Sequence, residues 1–178
     1  LVKRWSPYAL SGEPITQEQL MTILDAVRWA PSSYNEQPWR VIYALRDTPQ
    51  WQPLFDLLVE PNQAWAKHAA ALFLFVTKKT FTKGGKPNPV AVYDCGSAWQ
   101  NFALQTTALG LYAHGMAGFN KNQAPAVLGI PDDFEVCAMA AVGKPGRVED
   151  LPEDRRDGEK PSGRMPIGDY AFEGRFRG

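Results

Sequence analysis

The residues best suited to bind a planar heterocycle lie in one polar turn, residues 31–39, with the sequence PSSYNEQPW. Asn35 and Gln37 each present a donor beside an acceptor, so they can pair with the edge of a ring. Trp39 can form the apolar wall of a pocket. Serine, asparagine and proline are also ordinary turn formers, and this alternative explanation of the segment stays open at this point.

Two segments near the ends of the chain suit a phosphate monoester. Arg4 and Ser6 stand just before the first predicted helix, and Arg164 is set apart from the acidic run that precedes it. An arginine can contact two phosphate oxygens at once, and a hydroxyl donates a further hydrogen bond. Charged residues near a terminus are often simply solvated, so the residue types alone leave both interpretations open.

Several enzyme templates are absent from the sequence. It contains no GxGxxG after a predicted strand, no GxxxxGK[ST] loop, no GxSxG elbow and no HExxH pair. His68 and His114 have no ligand spacing with a cysteine or a carboxylate, so we expect no metal site. We expect each histidine to be packed or solvated rather than to act as a catalytic base.

Composition narrows the class of protein. Hydrophobic residues make up 44% of the 178 residues and charged residues 21%, a globular profile, so we expect a single domain over residues 1–178. The 19 Lys and Arg residues balance 19 Asp and Glu residues, which argues against nucleic acid as a partner. No apolar run is long enough to cross a bilayer, so we expect no membrane contact and a cytoplasmic location.

The elements that must position these residues alternate between helix and strand. Thr16 and Gln19 form a capping box that starts a helix over residues 16–30, and a second helix begins at Thr48 and stops at Pro61. The apolar run over residues 71–77 predicts a strand covered on both faces. The other predicted elements are helices over residues 62–67, 90–111 and 123–128 and strands over residues 40–45, 113–117 and 135–142.

Three further segments bear on assembly and on access to a site. Small and polar residues in the helix over residues 90–111 favour close approach of another helix, so it is a candidate subunit interface, and a buried core helix fits equally well. Residues 143–178 are rich in charge, proline and glycine before an aromatic end, which predicts a tail that docks on its own body or on a partner. Residues 78–89 are expected to form a loop near the mouth of an active site.

The turn PSSYNEQPW resembles the flavin-binding turn of the FMN-dependent nitroreductase family, and the surrounding residues are close to the short-chain members of that family. Nearly the whole chain shares this likeness, including an N-terminal arginine–x–serine pattern and a loop over residues 116–119. The family pattern has a basic residue where Tyr8 and Trp65 stand here, which would change contacts to phosphate groups. The cofactor-binding residues predicted on this basis are Arg4, Trp5, Ser6, Pro31, Ser32, Ser33, Asn35, Gln37, Asn62, Met116, Ala117, Gly118 and Arg164.

The resemblance implies an α+β fold with three α/β/α layers, in which helices flank a mixed, largely antiparallel sheet and the C-terminal tail docks on the partner subunit. It also implies a homodimer with FMN at the subunit interface, its phosphate held by one chain and its ring contacted by the turn of the other. NADH or NADPH would give hydride to flavin N5, and a small acceptor such as a nitroaromatic would then take its place. This ping-pong sequence needs no catalytic side chain, because the cofactor carries the redox chemistry.

Three alternatives to this function stay open. The same flavin site can serve a quinone, an enone or a halogenated aromatic as the electron acceptor. The protein can instead bind FMN as a store or sensor with little turnover. The least specific alternative is a structural α/β domain without a cofactor.

Overall fold

Four antiparallel strands form one sheet. The computed structural model describes residues 1–177; Gly178, the last residue of the predicted tail, lies outside the described residues. The strands are β1 (Trp39–Leu45), β2 (Ala71–Lys78), β3 (Tyr112–Met116) and β4 (Phe134–Gly143), and their order in the sheet is β1-β2-β4-β3. All three pairings between these strands are antiparallel, so the expectation of a largely antiparallel sheet is confirmed.

Helices cover both faces of this sheet. Within residues 1–177 the α-helices are α1 (Gln17–Arg28), α2 (Trp51–Phe55), α3 (Glu60–Ala66), α4 (Ala91–Ala108), α5 (Ala124–Leu128) and α6 (Glu153–Arg156). α1 and α4 pack together on one face, where Phe102 joins the same buried cluster as Phe73. On the other face, Leu54 of α2 and Trp65 of α3 pack with Leu72. The predicted α+β class with three α/β/α layers is therefore confirmed.

Strand β2 lies in the middle of the core. It is buried along its whole length up to Lys78, as the apolar run predicted. Because side chains alternate across a strand, Leu72 and Leu74 pack on one face of the sheet while Phe73 and Phe75 pack on the other. The strand thus joins the two buried clusters and fixes the positions of β1 and β4 on either side of it.

Helix α1 begins where the capping box predicts. Thr16 Oγ1 accepts the Gln19 N–H at 3.1 Å, and Gln19 Oε1 accepts the Thr16 N–H at 2.9 Å. An N-cap of this kind contributes about 1 kcal/mol to stability. Helix α4 ends at Ala108, earlier than predicted, because Gly110 adopts a left-handed φ of 72° that terminates the helix.

The predicted end of the second helix is wrong. The sequence pattern extended the second helix from Thr48 to Pro61, but α2 ends at Phe55 and Pro61 lies in the first turn of α3. Proline is tolerated there because the first N–H groups of a helix have no partner within it. Leu58 instead forms an isolated β-bridge with Phe119, which draws this segment against the loop after β3.

The chain beyond β4 first packs against the core and then extends into solvent. Leu151 is buried in the core, and α6 follows it. Every residue from 161 to 177 except Phe172 is exposed, including the apolar side chains of Met165, Ile167 and Phe176. Within residues 1–177, none of the helices combines the length and apolar character needed to span a bilayer.

Candidate cofactor site

The polar turn between α1 and β1 has an unusual backbone. Tyr34, Asn35 and Gln37 have positive φ angles of 52°, 56° and 50°, a region that costs a non-glycine residue about 1–3 kcal/mol. Hydrogen bonds within the turn stabilise it: the Gln37 N–H donates to Ser32 Oγ at 2.9 Å, and Gln37 Nε2 donates to Asn35 O at 3.1 Å. Because strained backbone is concentrated at functional sites, the turn is the first candidate for ligand binding.

A buried carboxylate attaches the turn to α4. Asp94 is only 4% exposed, and its Oδ2 accepts the Ser33 N–H at 3.0 Å. A buried carboxylate without a hydrogen-bond donor would be costly, so this contact stabilises both partners. Our sequence analysis missed Asp94, although an acidic residue directly before Cys95 on the buried face of an apolar helix was an available signal.

The turn divides its residues between two depressions. Residues 31–33 line a cavity of about 420 Å³ together with residues of α4. Asn35 and Gln37 instead line a depression of about 350 Å³ beside the end of α1. The expectation that Trp39 forms a pocket wall is wrong, because its side chain is buried in the core under α1 and α4.

Arg4 and Arg164 line one cavity of about 480 Å³. Nη1 of Arg4 donates to Ser6 Oγ at 3.3 Å, and the Ser6 hydroxyl donates to Ala113 O of β3 at 3.5 Å, so Ser6 connects the arginine to the sheet. Nη1 of Arg164 donates to the carbonyl groups of the two preceding residues, each at 2.8 Å. The residues that line this cavity, none of them a carboxylate, are Leu1, Val2, Arg4, Trp5, Gln100, Pro161, Ser162 and Arg164.

Asn62 and Gly118 form a separate polar contact beyond the end of β3. Asn62 Nδ2 donates to Gly118 O at 2.9 Å, and the Val59 N–H donates to the same oxygen at 3.1 Å. A Cβ atom on Gly118 would lie 2.7 Å from Asn62 Nδ2, so this close approach requires glycine. Ala117 is exposed, whereas the Met116 side chain is buried in the core and leaves only its backbone for a ligand.

Tyr8 and Trp65 belong to an aromatic cluster rather than to a ligand-facing surface. Their rings lie 5.2 Å apart, edge to face, and the His114 ring lies 4.7 Å from that of Tyr8. Trp65 is 1% exposed, and its Nε1 donates to Asn62 Oδ1 at 3.4 Å. The Trp65 side chain therefore does not reach the surface, and the effect on a nucleotide phosphate of having Trp65 in place of the family's basic residue stays a prediction.

The loop over residues 78–89 packs against the turn. The Thr82 N–H donates to Glu36 Oε1 at 2.6 Å, and the hydrogen bond from Thr82 lowers the pKa of Glu36. The Tyr34 and Phe81 rings meet edge to face at 5.9 Å. The predicted loop thus borders the candidate site, and its contacts with the turn are made by polar and aromatic side chains.

Both cavities open along one face of α4. Tyr93 and Ser97 line the cavity of the turn, whereas Gln100 lines the cavity of the two arginines. Positions separated by four and seven residues share one face of a helix, and Ser97 and Gln100 differ by only about 4.5 Å along its axis. Tyr93 is 78% exposed, so this face of α4 is not covered by the rest of the chain.

The sequence is similar to that of a known protein family. The model of the nitroreductase family matches residues 1–50 and 48–144. The chain belongs to the nitroreductase family. Membership of a family of reductases assigns it to the oxidoreductases.

The similarity to individual relatives covers most of the chain or nearly all of it. A crystal structure of an oxidoreductase containing FMN has a TM-score of 0.95 at 44% identity, covering 99% of this chain and 91% of that one. Protein DrgA of Synechocystis sp. (strain ATCC 27184 / PCC 6803 / Kazusa) is 29% identical over 182 residues, covering 86% of this chain and 84% of the relative. A protein of Archaeoglobus fulgidus, provisionally named NADH dehydrogenase/NAD(P)H nitroreductase, is 26% identical over 152 residues, with 80% and 82% covered. Solved structures of nitroreductase-family proteins share this architecture, which confirms the predicted nitroreductase-like fold.

Within this nitroreductase-family chain, the predicted site residues form three groups. Arg4, Trp5 and Arg164 meet at one cavity, and Asn62 contacts Gly118. The turn over residues 31–37 lies at separate cavities of the same chain. The sequence-based prediction did not include Asp94 or two polar residues of the arginine cavity, Gln100 and Ser162.

Proposed function

We propose that this protein is an FMN-dependent oxidoreductase that passes electrons from NADH or NADPH to a small acceptor such as a nitroaromatic. The observation that carries the proposal is the cavity where Arg4 and Arg164 meet without a carboxylate among its lining residues. Two guanidinium groups provide the charge-assisted hydrogen bonds that a phosphate monoester requires. The names of relatives support it further, since one contains FMN and another is provisionally an NAD(P)H nitroreductase.

The residues present fit FMN at both its ends. At the phosphate end, Arg4 and Arg164 would bind the anion, with the Ser162 hydroxyl in the same cavity. At the ring end, Asn62 and Gly118 are held together by a hydrogen bond, and their polar groups would be the ones offered to the edge of the ring. The bound flavin would supply the hydride-accepting and hydride-donating chemistry that the side chains of this chain lack.

In this proposal the side chains of the protein bind and orient the flavin, and they do not transfer protons. His114 Nδ1 lies 2.9 Å from the Pro7 carbonyl, which can only accept, so this nitrogen carries the hydrogen. Burial lowers the pKa of His114, which favours the neutral ring near neutral pH. A neutral imidazole enclosed by aromatic rings is a packing group, and we assign the acid–base role to water.

We propose further that the protein acts as a homodimer in which the turn of one subunit completes the site of the other. In one chain, the turn and the two arginines line different cavities along the same face of α4. A second chain packed on this face would bring its turn to the arginine cavity. The exposed Tyr93 and the exposed apolar side chains of the tail, Met165 and Ile167, are surfaces that such a partner would cover.

The test is a visible spectrum of the purified protein, followed by titration of the apoprotein with FMN. We expect a flavin spectrum and tight binding, weakened by Arg4→Gln and by Arg164→Gln. Arg164→Lys should weaken binding less than Arg164→Gln, because lysine keeps the charge and loses the planar fork. Arg175→Gln, another exposed arginine of the tail, is the matched control. A colourless protein that cannot be reconstituted with FMN would contradict the proposal.

Turnover is tested separately from binding. NADH or NADPH should bleach the bound flavin under anaerobic conditions, and a nitroaromatic should restore its colour. Parallel assays with a quinone, an enone and a halogenated aromatic compare the acceptor classes. If neither donor bleaches the flavin, the protein is an FMN-binding protein rather than a reductase.

A further inference from the structure

The later part of the tail contacts the N-terminal segment through the Glu159 carboxylate. Glu159 Oε1 accepts the Ala9 N–H at 2.8 Å, and both carboxylate oxygens lie 3.0 Å from the Tyr8 N–H. Hydrogen bonds between a backbone N–H and an ionised carboxylate are stronger than those between neutral groups. The Glu159 side chain is half-buried, so water competes with these bonds less than at a fully exposed position.

Arg155, in the same short segment, makes two more contacts with the body of the protein. Its guanidinium carbon lies 4.9 Å from the centre of the Tyr8 ring, a cation–π distance. Its Nη2 donates to Pro61 O, in the first turn of α3, at 3.0 Å. We call the pair Arg155 and Glu159 the tail hook. It supplies a positive charge beside Tyr8, the position at which the family pattern has a basic residue.

The tail hook connects the three segments that carry the candidate phosphate and ring contacts. Tyr8 follows Arg4 in the N-terminal segment, Pro61 precedes Asn62 in α3, and Glu159 lies shortly before Arg164 in the tail. Beyond the hook, residues 161–177 are almost wholly exposed and make few contacts with their own chain. The position of Arg164 relative to Arg4 therefore depends strongly on the anchor at Glu159.

We propose that Glu159 is a positioning residue that holds the tail on the N-terminal segment, so that Arg4 and Arg164 face the same cavity. This inference rests on the proposed function for its consequence in FMN binding. Without the anchor, the chain spends less time with both arginines in place. The apparent dissociation constant for FMN is inversely proportional to the fraction of molecules with both arginines in place, so it rises as that fraction falls. Glu159 does not itself line the arginine cavity.

The experiment compares Glu159→Gln with Glu153→Gln, an exposed acidic residue on the adjoining helix α6. Two readouts do not involve FMN: amide hydrogen exchange at Tyr8 and Ala9, and the rate of limited tryptic cleavage after Arg164. A third is fluorescence titration of the apoprotein with FMN. For Glu159→Gln we expect faster exchange, faster cleavage and an apparent Kd for FMN raised roughly tenfold, the scale of a lost hydrogen bond to a charged group. At saturating FMN, kcat should stay at the wild-type value, and Glu153→Gln should match wild type throughout.

Each result of this experiment supports or overturns the role proposed for Glu159. Unchanged exchange and cleavage in the Glu159→Gln variant would overturn the anchoring role. Faster exchange with an unchanged Kd for FMN would overturn the positioning role, since Glu159 would then be structural only. If the wild-type protein itself fails to bind FMN, the proposed function is wrong, and exchange and cleavage alone then support or overturn the anchor.

Discussion

Some polar groups of the candidate site contact only their own chain, whereas others also line a cavity that a ligand can enter. Asn62 Nδ2 is bonded to Gly118 O, and Ser33 N–H is bonded to Asp94, so their first role is to set the local backbone. Arg4 and Arg164 instead present guanidinium groups at a shared cavity. Loss of a residue in the first group should therefore affect stability, whereas loss of either arginine should affect binding.

At this scale, the two free cysteines should differ in reactivity. Cys95 of α4 and Cys137 of β4 line the same cavity of about 260 Å³. The interaction with Cys95 lowers the pKa of the Cys137 thiol, while the same interaction and burial raise the pKa of Cys95. Because the thiolate is the nucleophile, iodoacetamide at pH 8 should modify Cys137 first, as followed by peptide mass mapping. Cys137→Ser should abolish the fast phase, and equal labelling rates would contradict the prediction.

His114 should make the stability of the protein depend on pH. Burial, followed by the nearby charges of Arg155 and Arg4, lowers the pKa of His114 below 6.5, against the Pro7 carbonyl and Glu159, which raise it. Between the folded and unfolded pKa values the unfolded chain binds more protons, so stability rises with pH in that window. The free energy of unfolding in urea should therefore fall as the pH decreases below 6.5.

The matched variant for this test is His114→Gln, which cannot titrate. Its unfolding free energy should fall less between pH 7.5 and 5.0 than that of the wild type. His68, whose pKa burial also lowers, is present in both proteins and cancels in the comparison. Parallel pH profiles for the two proteins would show that His114 does not contribute.

At the scale of elements, α4 carries both parts of the candidate site. One face packs Cys95 and Phe102 into the core, Asp94 near its start fixes the turn, and Gln100 reaches the arginine cavity. A helix is a rigid support, so the spacing between the turn and the arginine cavity is set by its rise per residue. Asp94 is the residue of α4 that bonds the turn, and the loop over residues 78–89 contacts the turn separately.

Replacing Asp94 should destabilise the turn. Asp94→Ala leaves the Ser33 N–H without its acceptor, and we expect the free energy of unfolding in urea to fall by about 1–3 kcal/mol. Asp94→Asn retains an acceptor oxygen and should cost less. Asp132→Ala, at an exposed position before β4, is the control and should change little. Equal unfolding free energies for Asp94→Ala and the control would contradict this role.

At the scale of the whole molecule, the described chain leaves apolar side chains exposed in the tail and on α4. Residues 161–177 expose the apolar side chains of Met165, Ile167, Tyr170 and Phe176 to solvent, and clustered exposed apolar side chains are typical of an interaction surface. The exposed face of α4 adds Tyr93. Both features support the proposed homodimer, because closed symmetric dimers bury matching patches of the two subunits.

Truncation after Lys160 tests this assembly, since it removes the exposed tail and keeps the tail hook. We expect the wild type to sediment as a dimer and the truncated protein as a folded monomer with an unchanged far-ultraviolet circular dichroism spectrum. The reason is that residues 161–177 pack little on their own chain. Arg175→Gln should remain dimeric. A wild-type monomer, or a truncated protein that still sediments as a dimer, would contradict the prediction.

The sequence by itself determined the local elements and the residue types of the site. The capping box of Thr16 and Gln19 located the start of α1, and the apolar run of β2 predicted a strand buried on both faces. These features depend on neighbouring residues and on a periodic pattern, which a sequence displays directly. The same holds for the turn over residues 31–39 and for the resemblance to nitroreductases, which the family match confirms.

Only the tertiary structure decided which of these residues meet. Glu159 contacts Tyr8 and Ala9 from the far end of the chain, and Asp94 contacts Ser33 from another helix. Such pairs leave no periodic signal, because their spacing along the chain is set by the path of every element between them. The path of these elements also keeps the turn apart from the arginine cavity within one chain. Trp39 and Trp65 lie in the core, because burying a large apolar ring stabilises the fold more than a position at the ligand surface would.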